Sequence, residues 1–369
     1  MNLRMRIVQT PARFYPYSGG VESYVHDLSR ELVKLGHEVS VICADESGVG
    51  DGVIDGVRVK RLSYIGKIAN TNITPELPYE LWKEKFDIIH THLPTPWSAD
   101  WSAIVSKMKK RLLVVTYHND IMGFGVAGYI AQLYNKTMLK LVLGKADKII
   151  VTNKKQLSSP FLRDYAEKIM VIPSGIDTEK FRPVKANKQK NSIFFLSVLD
   201  RYHRYKGLDY LLSALKIVKE EVRDVKLIVG GGGELLTHYR EMASSLGLKN
   251  NVKFVGYIPQ DEIIGYYNGS ELFVLPSTSQ AQEGFGIVLL EAMACGLPIV
   301  ATDIVGMADE IEKNKAGVVV RPREIDSLAD AILASLKNNK GGVNARKLAQ
   351  KYDWGVITTR ISKIYSSLS

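Results

Sequence analysis

Short β-branched runs alternate with helix-length amphipathic segments along almost the whole chain, and this alternation is what most narrows the fold. Strand-like runs stand at Arg6–Thr10, Val39–Cys43, Val57–Leu62, Asp87–Thr91, Leu112–Thr116, Lys148–Thr152 and Ile169–Ile172. Between the first two, Val21, Tyr24, Val25, Leu28, Leu32 and Leu35 fall near one face of a helix over Val21–Leu35, which Gly36 ends. Strands spaced by helices are the signature of parallel α/β units. From Pro173 to Asn191 the chain changes character, with Pro173, Gly175 and Pro183 ahead of the polar stretch KANKQKN, and reads as a linker. The alternation then restarts. Strands are predicted at Ile193–Val198, Lys226–Val229, Val252–Val255, Leu272–Leu275, Pro298–Ala301 and Gly317–Val320. Helices are predicted at Leu208–Val222, Glu234–Leu246, Asp261–Asn268 and Gly286–Ala294, and from Asp326 onward with breaks near Gly341–Gly342 and Tyr352–Trp354.

The result is two α/β domains of similar size, which 369 residues accommodate comfortably. Ligands of such sheets bind beyond the C-terminal strand ends, so the expected site is an interdomain cleft. The N-terminus lacks the apolar core and cleavage site of a secretion signal, and no run of 18 apolar residues is present; a cytoplasmic protein is expected. Cys43 and Cys295 lie far apart in apolar runs, placed for neither a metal nor a disulfide framework.

The formal charge of +10 is unevenly spread. Between Trp101 and Lys155 ten Lys and Arg face two acids, a local net charge of +8. Such a patch suits an anionic partner, and residues 97–155 are a candidate surface for an anionic membrane. Trp97, Trp101, Ile104, Val105 and Met108, followed by Lys109–Arg111, fit an interfacial helix; they fit a core-facing stripe with solvated lysines as well. No nucleic-acid-reading module is present, so no nucleic acid is expected as partner.

The chemistry-bearing residues follow predicted strands. In EGFGIVLLE, a helix starting at Gly286 leaves the amides of Gly286, Ile287 and Val288 without helical partners, an arrangement suited to phosphate. Gly284 and Gly286 flank Phe285 and permit close approach of a ligand. Glu283 and Glu291 bracket the turn; they fit sugar and ribose hydroxyls, or equally a helix-start acid and a salt-bridged residue. In RYHRYKG, Arg201 and Lys206 are two cations for a diphosphate, or a solvated basic loop. The glycines of GGGGE, Gly230–Glu234, are a ligand-facing turn or merely a tight one; no GK[ST] follows, which rules out a Walker loop. In the first half, Gly19 and Gly20 open a helix after TPARFYPYSGG, without the GxGxxG of a redox dinucleotide fold. YHND places His118 at the site edge, near His90 and His92, each also readable as a structural hydrogen-bonder.

The order of these motifs resembles family 4 of the retaining glycosyltransferases. GGVESYVHDLSRELVKLGHEVSVIC, DIIHTHLP, PSGID, KFVGYIP, LFVLPS and EGFGIVLLEAMACGLPIVATD carry the likeness from Gly19 to Asp303, and the tail DWGVITTRISKIY is similar to the family's closing helix. The resemblance implies the GT-B fold of two facing Rossmann-like domains. Residues 1–172 would form the acceptor-side domain, 173–191 the linker, 192–352 the nucleotide-sugar domain, and 353–369 a helix returning to the first domain. It implies that Glu283 lies near the donor sugar hydroxyls, Glu291 at the ribose, Arg201 and Lys206 at the diphosphate, and Gly19 and Gly20 over the phosphates. His118 would lie beside the transferred sugar, and Tyr257 and Ile258 would line the base.

The chain departs from the family pattern in three places: Asp200 stands where a Gly is common, Gly233–Glu234 lacks the Pro often found there, and HND replaces the usual His-Asp. The activity expected is transfer of a hexose from a UDP- or GDP-linked donor to a glycan or lipid-linked hydroxyl. Configuration would be retained, and the leaving phosphate would serve as base. No cofactor is expected, and no metal, since fixed cations and a helix end hold the diphosphate and Asp-x-Asp is absent. A non-catalytic sugar-nucleotide-binding protein of the same fold is the alternative.

Overall fold

The computed structural model describes residues 4–17, 19–68, 71–121, 125–280, 282–338 and 341–368; Ser18 of the glycine turn and residues 122–124 of the basic segment lie outside this set. The chain forms two compact units, Met1–Gly175 with Trp354–Ser369, and Ile176–Asp353.

The first unit holds strands β1 (Arg6–Thr10), β2 (Glu38–Ala44), β3 (Gly52–Ile54), β4 (Val57–Leu62), β5 (Gly66–Ile68), β6 (Thr71–Ile73), β7 (Ile88–Leu93), β8 (Leu112–Tyr117), β9 (Lys148–Val151) and β10 (Ile169–Val171). Its helices are α1 (Gly20–Lys34), α2 (Leu77–Lys83), α3 (Pro96–Met108), α4 (Val126–Lys136) and α5 (Met138–Lys145). Eight strands run in the order β10-β9-β8-β7-β1-β2-β4-β3, parallel except for the β3–β4 hairpin, and β5–β6 form a separate hairpin. The second unit holds β11 (Ser192–Leu196), α6 (Leu208–Glu221), β12 (Lys226–Gly230), α7 (Leu236–Ser245), β13 (Val252–Gly256), α8 (Ile263–Gly269), β14 (Leu272–Leu275), α9 (Ile287–Ala294), β15 (Ile299–Thr302), α10 (Ala308–Lys313), β16 (Gly317–Val320), α11 (Ile325–Lys337) and α12 (Gly342–Gln350). Its six strands are all parallel, in the order β13-β12-β11-β14-β15-β16. Both sheets are Rossmann-like, with helices on both faces.

The periodicity that predicts α1 is realised: Tyr24, Val25, Leu28 and Leu32 are buried, and Gly36 follows the helix at φ +92°. The chain returns to the first unit as α13 (Trp354–Leu368), which buries Trp354, Ile357, Ile361, Ile364 and Tyr365 in the same core as α1. A Cβ on Gly175 would stand 2.3 Å from the Trp354 ring, so only glycine fits where the chain leaves this unit.

Two expectations bear on packing. Within the linker expected over residues 173–191, Ile176 and Phe181 are buried in the second core. Arg346 straps the segment down by donating to the carbonyls of Thr178 (3.0 Å) and Phe181 (2.8 Å). A Pro/Gly-rich, lysine-rich composition marks the absence of regular structure, not the absence of packing. The other concerns α3, for which an interfacial and a core-facing reading both stood. Its Ala99, Ala103 and Val105 are buried, Trp97 and Trp101 pack on the core, and Trp97 Nε1 donates to the Thr74 carbonyl at 3.0 Å. The core-facing reading of Trp97–Met108 therefore holds, and of its apolar residues only Met108, at the end, is exposed. Cys43 and Cys295 are free and buried, and burial pushes both thiols up to about 12.

Candidate active site

In a parallel sheet every strand points its C-terminal end the same way, so residues that follow different strands gather at one edge. In the second unit the loops after β11, β12, β13 and β14 carry Arg201 and Lys206, Gly231–Glu234, Tyr257 and Ile258, and Glu283, respectively. These are the residues the sequence singles out, and four neighbouring strands bring them together.

Lys206 and Glu283 meet directly. Lys206 Nζ donates to Glu283 Oε1 at 3.0 Å and to Oε2 at 2.9 Å, with the two side chains 16% and 2% exposed. Burial works against the ammonium, but the adjacent carboxylate outweighs it and holds the Lys206 pKa above its ordinary value. The Ser277 hydroxyl donates to Glu283 Oε2, and Thr302 Oγ1 donates to the Ser277 carbonyl at 2.7 Å. The ammonium also lies 5.1 Å from the centre of the half-buried Tyr205 ring. Gly207 sets the loop: at φ +80°, with the Pro276 carbonyl oxygen 2.0 Å from where a Cβ would be, no other residue fits. The Thr278 amide donates to the Tyr205 carbonyl at 2.7 Å and ties the two loops together.

Arg201 differs. It is exposed and pairs through Nε with Glu234 Oε1 at 2.8 Å. A Pro at position 234 would leave Arg201 without this partner. The other departure in this loop, Asp200, accepts from the His203 amide at 2.8 Å and lies 2.7 Å from its Nδ1, closing a local turn.

The glycines after β12 serve the backbone. A Cβ on Gly231 would lie 1.8 Å from the Ser197 carbonyl oxygen, and one on Gly233 2.3 Å from that of Leu199. The Leu199 amide donates to Gly232 O, and Leu235 donates to Leu199 O, both at 2.8 Å. The tight turn read from GGGGE is observed, and it fixes the loop that carries Arg201.

Helix α9 starts at Ile287, with Gly286 before it at φ +82° and no side-chain cap. Gly284, Ile287 and Val288 are half-buried, while Phe285 is buried. Glu291, one helical turn on, accepts from the Tyr267 hydroxyl at 2.6 Å. Tyr267 is fully buried on α8, and sequence reasoning missed it because nothing in its neighbourhood marks it. Ser277, also missed, was legible in LFVLPS. Tyr257 is 73% exposed, whereas Ile258 is buried against the sheet.

The first unit's edge carries a cluster of neutral imidazoles. His90 and His92 alternate on β7 toward the α1 side, and both are fully buried. His92 Nε2 lies 2.8 Å from Gln9 Oε1, so this nitrogen carries the proton and Nδ1 accepts from His118 Nε2 at 3.3 Å. His90 is held by the Thr116 and Tyr365 hydroxyls, both at 2.7 Å. Burial lowers all three imidazoles, His90 and His118 to about 3, and they are neutral at physiological pH. The Tyr24 ring stands edge-on to His118, centroids 4.7 Å apart, and Gln156 Nε2 donates to the His118 carbonyl. Asp120 of the variant HND accepts from Tyr117 (2.6 Å) and Ser159 (2.9 Å), a role in shaping this loop.

Gly19 precedes α1, and a Cβ there would meet Glu22 Oε2 at 2.2 Å; Gly20 is exposed and starts the helix. The buried Glu22 accepts from Arg13 Nε at 3.1 Å, which orders the turn. Among the described residues no group of three or more His, Cys, Asp or Glu side chains is placed to hold a metal ion.

Known proteins match along almost the whole chain. Residues 177–352 match the family described as Glycosyl transferases group 1, and residues 18–180 match Glycosyltransferase Family 4. A phosphatidyl-myo-inositol mannosyltransferase of Mycolicibacterium smegmatis is 26% identical, over 96% of this chain and 92% of its own length. The phosphatidylinositol N-acetylglucosaminyltransferase gpi3 subunit of Schizosaccharomyces pombe is 25% identical over 96% of this chain and 79% of its own. Among solved structures, Anabaena HepE in complex with UDP-glucose superposes with a TM-score of 0.80 at 22% identity, covering 99% of this chain and all of the other. Sucrose-phosphate synthase from Thermosynechococcus elongatus gives 0.77 at 24% identity, covering 99% of each. With two Rossmann-like units of the GT-B kind and both family signatures in place, the chain belongs to the family 4, group 1 glycosyltransferases and is a glycosyltransferase.

Proposed function

We propose that this enzyme transfers a hexose, with retention of configuration, from a UDP- or GDP-linked donor to the hydroxyl of a lipid-linked or glycan acceptor. The second unit takes the donor and the first takes the acceptor. The observation that carries the reading is Lys206, a largely buried cation bonded to both oxygens of a buried carboxylate, at the same strand ends as the uncapped start of α9. Neither charge would be retained there for stability alone, since a buried pair is often no better than apolar packing.

In the reaction the anomeric C–O bond breaks, and the diphosphate leaves with the electron pair. Lys206, Arg201 and the amides at Gly286–Val288 stabilise the charge that develops. The acceptor oxygen bonds to the anomeric carbon on the face the phosphate left, and its proton passes to a phosphate oxygen. Gly19 and Gly20 cover the phosphates. Glu283, besides holding Lys206, takes the donor sugar's hydroxyls, and His118 offers a neutral imidazole beside the same sugar. Glu291, oriented by Tyr267, takes the ribose, while Tyr257 and Ile258 line the base. With two cations and a helix end on the diphosphate, the chemistry needs no metal.

The phosphatidylinositol acceptors in the names of the two relatives support a lipid acceptor, and the +8 segment supports an anionic membrane surface as the place where it is met. The test is incubation with UDP- and GDP-hexoses and phosphatidylinositol or polyprenyl-phosphate acceptors, with the anomeric configuration of the product read by NMR. An α-linked product from an α-linked donor is expected. An inverted product, or no transfer from any donor of the panel, overturns the reading.

A further inference from the structure

Helices that cover a sheet turn their apolar face inward; α4 packs only Tyr134 of its described apolar side chains on the core and turns a second apolar face outward. Its inner side is held by polar bonds: Tyr134 Oη donates to Asp100 at 2.6 Å, and the buried Asn135 donates to the Ile121 carbonyl at 3.0 Å. Its outer side carries Tyr129, Ile130 and Leu133, which are 77%, 48% and 66% exposed. At positions i, i+1 and i+4 these three occupy one arc of about 100°. The exposed Lys136 lies at the edge of that arc, and the following helix, α5, adds the exposed Lys140 and Leu141. Residues 126–145 contain three lysines and no acid.

We infer that this outward face of α4, with the lysines of α4 and α5, docks on an anionic lipid bilayer. An apolar arc rimmed by cations is what an interfacial helix needs, because apolar side chains enter the acyl boundary while ammonium groups stay at the headgroups. Other occupants fit less well. A second copy of the chain related by a two-fold axis would set the same lysines against themselves. A polyanion such as nucleic acid would use the lysines and leave the apolar arc in water. The inference deepens the membrane and lipid-acceptor reading above and rests on it for its purpose, and it moves the contact from α3 to α4.

Co-sedimentation of the full chain with vesicles tests it, in low salt and without any donor. The vesicles are phosphatidylcholine alone, or phosphatidylcholine with one quarter phosphatidylglycerol. The wild type is expected to bind the anionic vesicles and not the neutral ones, and to be released at about 0.5 M salt. The triple variant Tyr129→Ser, Ile130→Ser, Leu133→Ser is expected to bind at least about tenfold more weakly with unchanged melting. Should that variant melt early, Lys136→Glu with Lys140→Glu gives an independent reading, and the same weakening is expected. A wild type that stays in solution with both vesicle types overturns the inference, as does undiminished binding by the folded variants or a dimer that the triple variant dissociates. Vesicle binding without transfer to any lipid acceptor would remove the acceptor reading and leave the docking surface standing.

Discussion

The two units present the same kind of sheet edge and furnish it in opposite ways. In the second, a largely buried ammonium and a buried carboxylate face each other and an exposed guanidinium lies on the loop between them and the glycine turn. In the first, three imidazoles kept neutral by burial are linked through Gln9, Thr116 and Tyr365. On the function proposed, the edge with the ion pair takes the charged donor and the edge with the imidazoles the hydroxyl-bearing acceptor. A parallel sheet leaves the choice to the residues after its strands, so one architecture can supply both halves of a transfer between a charged donor and a neutral hydroxyl.

The comparison breaks first at Glu283. In Glu283→Ala the Lys206 ammonium stays buried without its partner, at a cost of about 3–5 kcal/mol. Hydrogen exchange should rise throughout Ile176–Asp353 and stay unchanged in the first unit. Equal protection in variant and wild type would mean that the pair is more solvated than its burial indicates. Next in size is Lys206→Ala, with Ser277 still holding Glu283. Loss of one stabilising donor is expected to reduce the rate of transfer by about 2.7–4 kcal/mol in barrier, a hundredfold or more. Near-wild-type turnover in a folded variant would remove Lys206 from the diphosphate.

The edge with the imidazoles is sharpened by pH. Unfolded imidazoles bind protons near 6.5, whereas folded His90 does so only near 3 and folded His92 well below its ordinary value. Between these limits the unfolded chain holds more protons, so stability is full above about 6.5 and declines as pH falls, by roughly 1 kcal/mol per pH unit for each imidazole. Urea midpoints between pH 7.5 and 4.5 should show this slope, and His90→Gln should reduce it. A slope that His90→Gln leaves unchanged would place the acid sensitivity elsewhere.

The smallest effect expected is at Glu234. Its pair with Arg201 is exposed and contributes no more than about 1 kcal/mol. Glu234→Ala should leave melting unchanged and raise diphosphate affinity up to about fivefold by releasing Arg201. A fall in affinity would mean that Glu234 instead aims the guanidinium.

Much of this was legible in the sequence because strand and helix periods report which faces are buried. The six strands of the second unit and the start of α9 at the glycines of EGFGIVLLE are found within one or two residues of their predicted places. The β3 and β5–β6 hairpins were not legible, being three-residue strands too short to show a period. Partners across sequence were hidden too. Glu283 and Lys206 could each be read as a ligand for something absent, and spacing alone does not reveal that each first satisfies the other. The outward arc of α4 was hidden for a related reason: periodicity identifies an apolar face but not whether it points in or out.

The measurement closest to the central claim is calorimetric titration of UDP and GDP into the wild type, Lys206→Ala and His118→Ala. If the charged edge holds the diphosphate, one nucleotide binds the wild type, binds Lys206→Ala at least about tenfold more weakly, and binds His118→Ala within about twofold of the wild type. Binding that is unaffected by Lys206→Ala, or lost in His118→Ala instead, would contradict the account.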